Sequence, residues 1–191
     1  MIPRTSSDLD GLLAEAKGQN VEVAEILGAL SDEAALWRSD EARWSAAGHI
    51  AHLVIINTAY LGPVESAIEA AVAADAPRSD GPYRHPSVAS WFARSMEPLP
   101  KRRMKTFRAM VPDPGASRAE ASGDFDRTQG RLVAAIERAR GLDLGRVRFR
   151  SPFLSLLRFS LGSGFEMLLA HNRRHIWLVR ELMATADFPG S

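Results

Sequence analysis

Along this chain apolar residues recur mainly at the three-and-four spacing of helices. Leu9, Leu12, Leu13, Ala16, Val23, Ile26, Leu27 and Leu30 share one face of a first helix. Ser6, Ser7 and Asp8 just before it are candidate caps, with side-chain oxygens that accept from free N–H groups. LSDEAALWRSDEARWS (residues 30–45) reads as a polar connection or short helix. A second helix is predicted from near Ser45 to about Ala74. Between Arg43 and Glu65 it carries no Asp, Glu, Lys or Arg. Such a helix is buried on several faces, centrally in a bundle or at a subunit contact.

DAPRSDGPYRHP (residues 75–86) reads as a loop, since its prolines and glycine break periodic structure. A short helix is expected around Val88 to Met96. PLPKRRMKTFRAMVPDPG (residues 98–115) then forms a connection with a basic helical turn inside it. The third long helix covers roughly Ser117 to Arg140, with Phe125, Leu132, Val133 and Ile136 buried and Gly141 placed to end it. RVRFRSPFLSLLRFSL (residues 146–161) mixes extended chain and turn. The last helix is expected to start at Ser163, with Glu166 completing a capping box, and to run to about Ala184. Four long helices with long crossover connections predict an all-α four-helix bundle. It is read as one domain over residues 1–191, in which 75–116 is a long connection with short helical pieces.

Composition narrows the chemistry. At 191 residues, 46% apolar and 25% charged, the chain can bury a real core. With 24 basic against 23 acidic residues it lacks the basic excess of a nucleic-acid groove. There is no cysteine, which removes disulfides, cysteine-bound zinc, iron–sulfur clusters and a thiol nucleophile from consideration. No apolar run has the length of a signal peptide or a membrane span, so a soluble cytoplasmic protein is expected.

Two of the five histidines, His171 and His175, lie in AHNRRHIWLV at positions i and i+4. On a helical wheel they are about 40° apart. They sit at the edge of the stripe formed by Leu161, Phe165, Leu168, Leu169, Ile176, Val179 and Met183, beside Leu178 and Leu182. Glu166, Arg173, Arg174, Arg180 and Glu181 are read as the opposite, charged side. An i,i+4 pair of imidazoles can converge on one ion, although this pattern also arises by chance in ordinary helices. Asn172 excludes a zincin-type protease, because the H-E-x-x-H motif needs a general-base glutamate there. A third nitrogen would come from His49 or His52 in WSAAGHIAHL, and the apolar periodicity does not choose between them. His85, in the Pro/Gly loop, is the poorer candidate. Trp44 and Trp177 read as packing residues, with Trp177 closer to the rim of any site. KRRMKTFR reads as a solvated basic face, with an anionic substrate or partner as the alternative.

RWSAAGHIAHL, followed late in the chain by LLAHNRRHIW, resembles the DinB-like superfamily of bacterial four-helix-bundle proteins. That family shows a Trp-Ser helix start, a His-Leu pair and a late H-x-x-x-H. The resemblance implies a metal triad of His52, His171 and His175, with His52 selected because Leu53 follows it. It also implies an open site for a divalent ion (zinc, nickel or iron), since three histidines leave a position for water or substrate. Relatives commonly carry glutamine where this chain has Leu178. The activity implied is a metal-dependent S-transferase using a low-molecular-weight thiol and a small-molecule substrate. The alternatives are a metal-dependent hydrolase, for which no general base is identified, and a non-catalytic metal-binding or stress-response bundle. The catalytic residues are left unassigned. The uncharged second helix and the family together suggest a homodimer.

Overall fold

The computed structural model describes residues 9–79, 83, 91, 94–98, 107–154 and 156–189. The caps expected at residues 6–8, His85, most of the helix expected over 88–96 and residues 101–106 of the basic run lie outside them. The elements are α1 (Leu9–Gly28), α2 (Asp32–Leu36), α3 (Ala46–Ala73), a 3-10 turn (Arg108–Met110), α4 (Arg118–Arg138), β1 (Arg148–Arg150), β2 (Arg158–Ser160) and α5 (Leu161–Met183). The four long helices pack as a ring in which α1 and α3 each lie between α4 and α5, leaving α1 and α3 diagonal to each other. This is the helical bundle that the periodicity predicts. Among the described residues, no helix is long and apolar enough to cross a membrane.

Local chemistry sets the helix starts. Ser45 Oγ accepts from the Gly48 N–H at 3.0 Å and starts α3. Ser117 and Glu120 form a reciprocal capping box at α4. Beyond the end of that helix Gly141 takes φ +80°, a conformation open to glycine. The last helix corrects the expected start. Its N-cap is Ser160, its box partner is Ser163, and Glu166 lies within the helix. The cause is the preceding hairpin: β2 delivers extended chain directly to Ser160, so the helix begins one turn earlier.

That hairpin, the ambiguous segment of the sequence, pairs Arg148 with Ser160, Phe149 with Phe159 and Arg150 with Arg158. The period of two turns both phenylalanines inward, where their rings stack with centroids 5.7 Å apart. Phe149 also lies over Gly164 in the first turn of α5. A Cβ on that glycine would sit 2.5 Å from Phe149 Cζ and 2.6 Å from Cε1. Gly164→Ala is therefore expected to destabilise the fold by about 1–3 kcal/mol through overpacking. An unchanged urea midpoint would show that the ring moves aside at no cost.

The bundle interior is not wholly apolar. Each long helix contributes one buried amide: Gln19 from α1, Asn57 from α3, Gln129 from α4 and Asn172 from α5. Asn172 donates to Gln19 Oε1 at 3.0 Å and to Gln129 Oε1 at 3.3 Å, and accepts from Asn57 Nδ2 at 3.3 Å. Gln129 and Gln19 donate in turn to the carbonyls of Ala16 and Leu169. A slipped helix would strand these groups unpaired, so the network ties the helices to one register.

Candidate metal centre

The N-terminal turns of α3 and the C-terminal half of α5 meet at one end of the bundle. Ser45 sets the phase of α3, which places His52 against α5. On α5 the four-residue spacing aims His171 and His175 at the same place. Ring centroids are 4.6 Å apart for His52–His175, 4.6 Å for His171–His175 and 5.2 Å for His52–His171. One nitrogen from each ring lies within 4.8 Å of the others. One tetrahedral ion needs nitrogens roughly 3.4 Å apart given bonds of about 2.1 Å, so small ring rotations close the set.

All three rings are buried. Burial is the main cause that pushes His171 down to about 3, with smaller contributions from His52 and Arg174. Burial likewise holds His175 well below its ordinary value, and then the neighbouring histidines and Arg174. It lowers His52 too, against a bond to the Met110 carbonyl that raises it. The imidazoles are therefore neutral at pH 7, the state in which they are ligands. His52 Nδ1 lies 2.7 Å from the Met110 oxygen. A carbonyl only accepts, so Nδ1 carries the proton and Nε2 keeps its lone pair. His171 Nδ1 is buried with no hydrogen-bond partner, which an ion or a water would satisfy. The donor set and this orphaned nitrogen both fit a divalent metal.

The two candidates for the third nitrogen take different places. His52 joins the cluster, whereas His49 stands behind it, with its Nδ1 3.0 Å from His175 Nδ1. One ring donates and the other accepts. If His175 presents Nε2 to an ion, its Nδ1 must hold the proton and His49 Nδ1 must accept it. His49 then orients a ligand. Its pKa is pushed down to about 4, by burial first and then by His52 and Arg43.

Several residues at the site carry a different reading in sequence. Trp44, read as packing, lies 4.6 Å from His52 and stacks on His175 at 6.0 Å, while Trp177 does not line the adjoining cavity. Arg174 and Glu181, read as part of the outward charged side, line that cavity with Leu178 and Leu182. The wheel contains the signal: positions 171, 174, 175, 178, 181, 182 and 185 span about 120° of α5, a second face beside the core stripe. The Met110 carbonyl could not be found this way, because a long connection delivers it. Three polar residues of α1 and α3, Glu15, Asp10 and Asn57, are engaged away from the cluster. Glu15 pairs with Arg173, Asp10 with Arg140, and Asn57 bonds Asn172.

The histidines form part of the wall of a cavity of about 920 Å³. Its size falls within the range of small-molecule sites. Tyr60, Met96, Met110, Phe153 and Met167 give it an apolar lobe.

The fold and the site together define a four-helix-bundle protein with a buried three-histidine cluster that could bind a metal. The chain belongs to the DinB superfamily, whose sequence profile matches residues 19–179. No curated protein and no solved structure gives a match.

Proposed function

We propose that His52, His171 and His175 hold a divalent ion facing the cavity, and that the protein is a metal-dependent S-transferase acting with a low-molecular-weight thiol. The observation that carries this reading is the convergence of three buried, neutral imidazoles on the wall of a cavity large enough for a small molecule. When bound there, the ion would supply a Lewis acid that makes a coordinated thiol more acidic. The chain's own residues do the rest. The Met110 carbonyl fixes the His52 tautomer, His49 fixes that of His175, and Trp44 packs against the rings of His52 and His175. The apolar lobe holds the electrophile and keeps water from competing with the thiolate. In the transfer the thiol proton passes to solvent through the mouth, the new bond forms between sulfur and the electrophilic carbon, and the leaving group takes the displaced electron pair.

The hydrolase reading has less support. Among the described residues the cavity's one carboxylate is Glu181, which is exposed and not held against the cluster. A thiolate needs no such base once its proton is lost. A non-catalytic metal-binding bundle is the second reading, favoured by the same scarcity of acid–base groups. Protein purified without a histidine tag is expected to carry close to one equivalent of zinc, nickel or iron by elemental analysis, or to take it up on titration. Failure to do either rejects the metal centre. The metal-loaded protein, given a panel of thiols and alkylating electrophiles, is expected to form thioether products. Full metal loading with no turnover would support the non-catalytic reading.

A further inference from the structure

Four arginines decorate the second half of α5 or its approach to the cavity, and they are not used alike. Arg173 is engaged by both Glu15 and Glu97, and Arg180 pairs with Glu22 at 2.8 Å. Arg174, between them and half-buried, pairs with no carboxylate among the described residues. Its one hydrogen bond among the described residues, to the Ser95 carbonyl, is long at 3.5 Å. A guanidinium has five donors in a planar fork, so most of them have no protein partner among the described residues. Withdrawing an unpaired charge from water is costly and is seldom retained without a counter-group. Arg174 lines the histidine cavity, as does the exposed Arg43 of the α2–α3 connection; among the described residues Glu181 is the one carboxylate against these two cations.

The same cavity also has apolar lining, with three methionines that adapt to varied shapes. Its apolar character continues outward to three lining residues that remain exposed: Phe107 (61%), Val111 (46%) and Leu154 (39%). Leu178 extends the apolar wall along α5 beside the histidines. The cavity thus offers a forked cation together with apolar lining that reaches exposed side chains.

We propose that this cavity recognises an amphiphilic carboxylate, with the carboxylate taken by Arg174 in a forked pair and the hydrocarbon tail lying along the methionine-lined lobe. The inference rests on reading the cavity as the ligand site of the histidine cluster, and it names the chemical class of that ligand. Planar bidentate pairing with a carboxylate is the recognition for which a guanidinium is suited and an ammonium is not.

Octanoate, octan-1-ol and acetate separate the contributions, measured by calorimetry on metal-free and zinc-loaded protein. Octanoate is expected to bind metal-free protein at least tenfold more tightly than octan-1-ol, which has the tail alone, or acetate, which has the charge alone. Arg174→Met keeps the stem and removes the fork, and is expected to weaken octanoate about 10- to 100-fold while leaving octan-1-ol unchanged. If that variant does not fold, Arg174→Gln, which keeps a donor for Ser95, serves for the same comparison. Equal binding of octanoate and octan-1-ol, or octanoate affinity unmoved by the substitution, overturns the proposal. Using metal-free protein prevents a carboxylate on the ion from imitating one on Arg174. Arg174-dependent octanoate binding in a protein that takes up no metal would support the anion site and reject the metal centre. Metal uptake without octanoate binding would reject the anion site alone.

Discussion

His171→Ala is expected to lower divalent-metal affinity by roughly 100- to 1,000-fold while leaving the bundle folded. The size follows from dividing the approximately 10–16 kcal/mol of a four-ligand zinc site among its ligands, which gives about 2.5–4 kcal/mol for each. Folding survives because the metal-free site gains little from this ring. His171 is buried with an unsatisfied Nδ1, so truncation relieves an unpaired polar group while opening a cavity beside one already present. His52→Ala and His175→Ala should behave alike. His49→Ala should not: it removes an orienting partner, and a loss of about 10- to 100-fold is expected. Competition titration against a chromophoric chelator, with thermal melts in parallel, measures both quantities. Equal losses for His49→Ala and His171→Ala would place His49 among the ligands. Unchanged affinity in all four variants would mean that metal binds elsewhere.

Acid is expected to unfold the metal-free protein from about pH 6.5 downward, with little change above that. Burial sets the folded pKa of His171 at about 3 and that of His49 at about 4, against 6.5 for an unperturbed histidine. Between the folded and unfolded values the unfolded chain binds a proton that the folded chain refuses. Falling pH therefore favours unfolding, by up to about 1.4 kcal/mol per histidine per pH unit. Well above pH 6.5, by about pH 7.5, neither state is protonated and the dependence fades. From pH 6.5 to 4.5 these two residues alone cost at most roughly 5 kcal/mol, comparable with the whole stability of many domains. Urea midpoints at pH 7.5, 6.5, 5.5 and 4.5, in the presence of a chelator, measure the slope. The double variant His49→Ala, His171→Ala is expected to flatten it. A wild-type midpoint constant between pH 6.5 and 4.5 would contradict the burial of these rings as neutral groups. In the metal-loaded protein the ion is expected to leave only as acid unfolds the chain, at lower pH than in the metal-free protein, because the buried imidazoles resist protonation while folded.

Much of this molecule is legible one helix at a time. Helix periodicity locates the long helices, and the serines at 45 and 117 mark two of their starts, because capping is a contact between residues three apart. The H-x-x-x-H spacing puts His171 and His175 on one side of a helix for the same local reason. Legibility fails where a contact joins distant segments. Glu166 satisfies the local capping pattern, yet the hairpin places the helix start at Ser160. Asn172, informative in sequence only as the absence of a base, is the hub of an amide network drawn from all four long helices.

The sequence by itself determined the bundle, the approximate helix bounds and a shortlist of histidines, since all of these follow from periodicity and short-range geometry. On residues alone it left His49 and His52 equal, because a helix that is apolar nearly all round carries no phase. The family resemblance selects His52, and the packing of α3 against α5 supplies the physical separation, putting His52 in the cluster and His49 against the back of His175. Tertiary structure also brings the Met110 carbonyl to His52 from 58 residues away and turns Arg174 into the cavity without a carboxylate partner among the described residues. The physical reason is common to these cases. A hydrogen bond or a cavity wall depends on the relative placement of whole elements, and that placement is set by the sum of core contacts rather than by any local pattern.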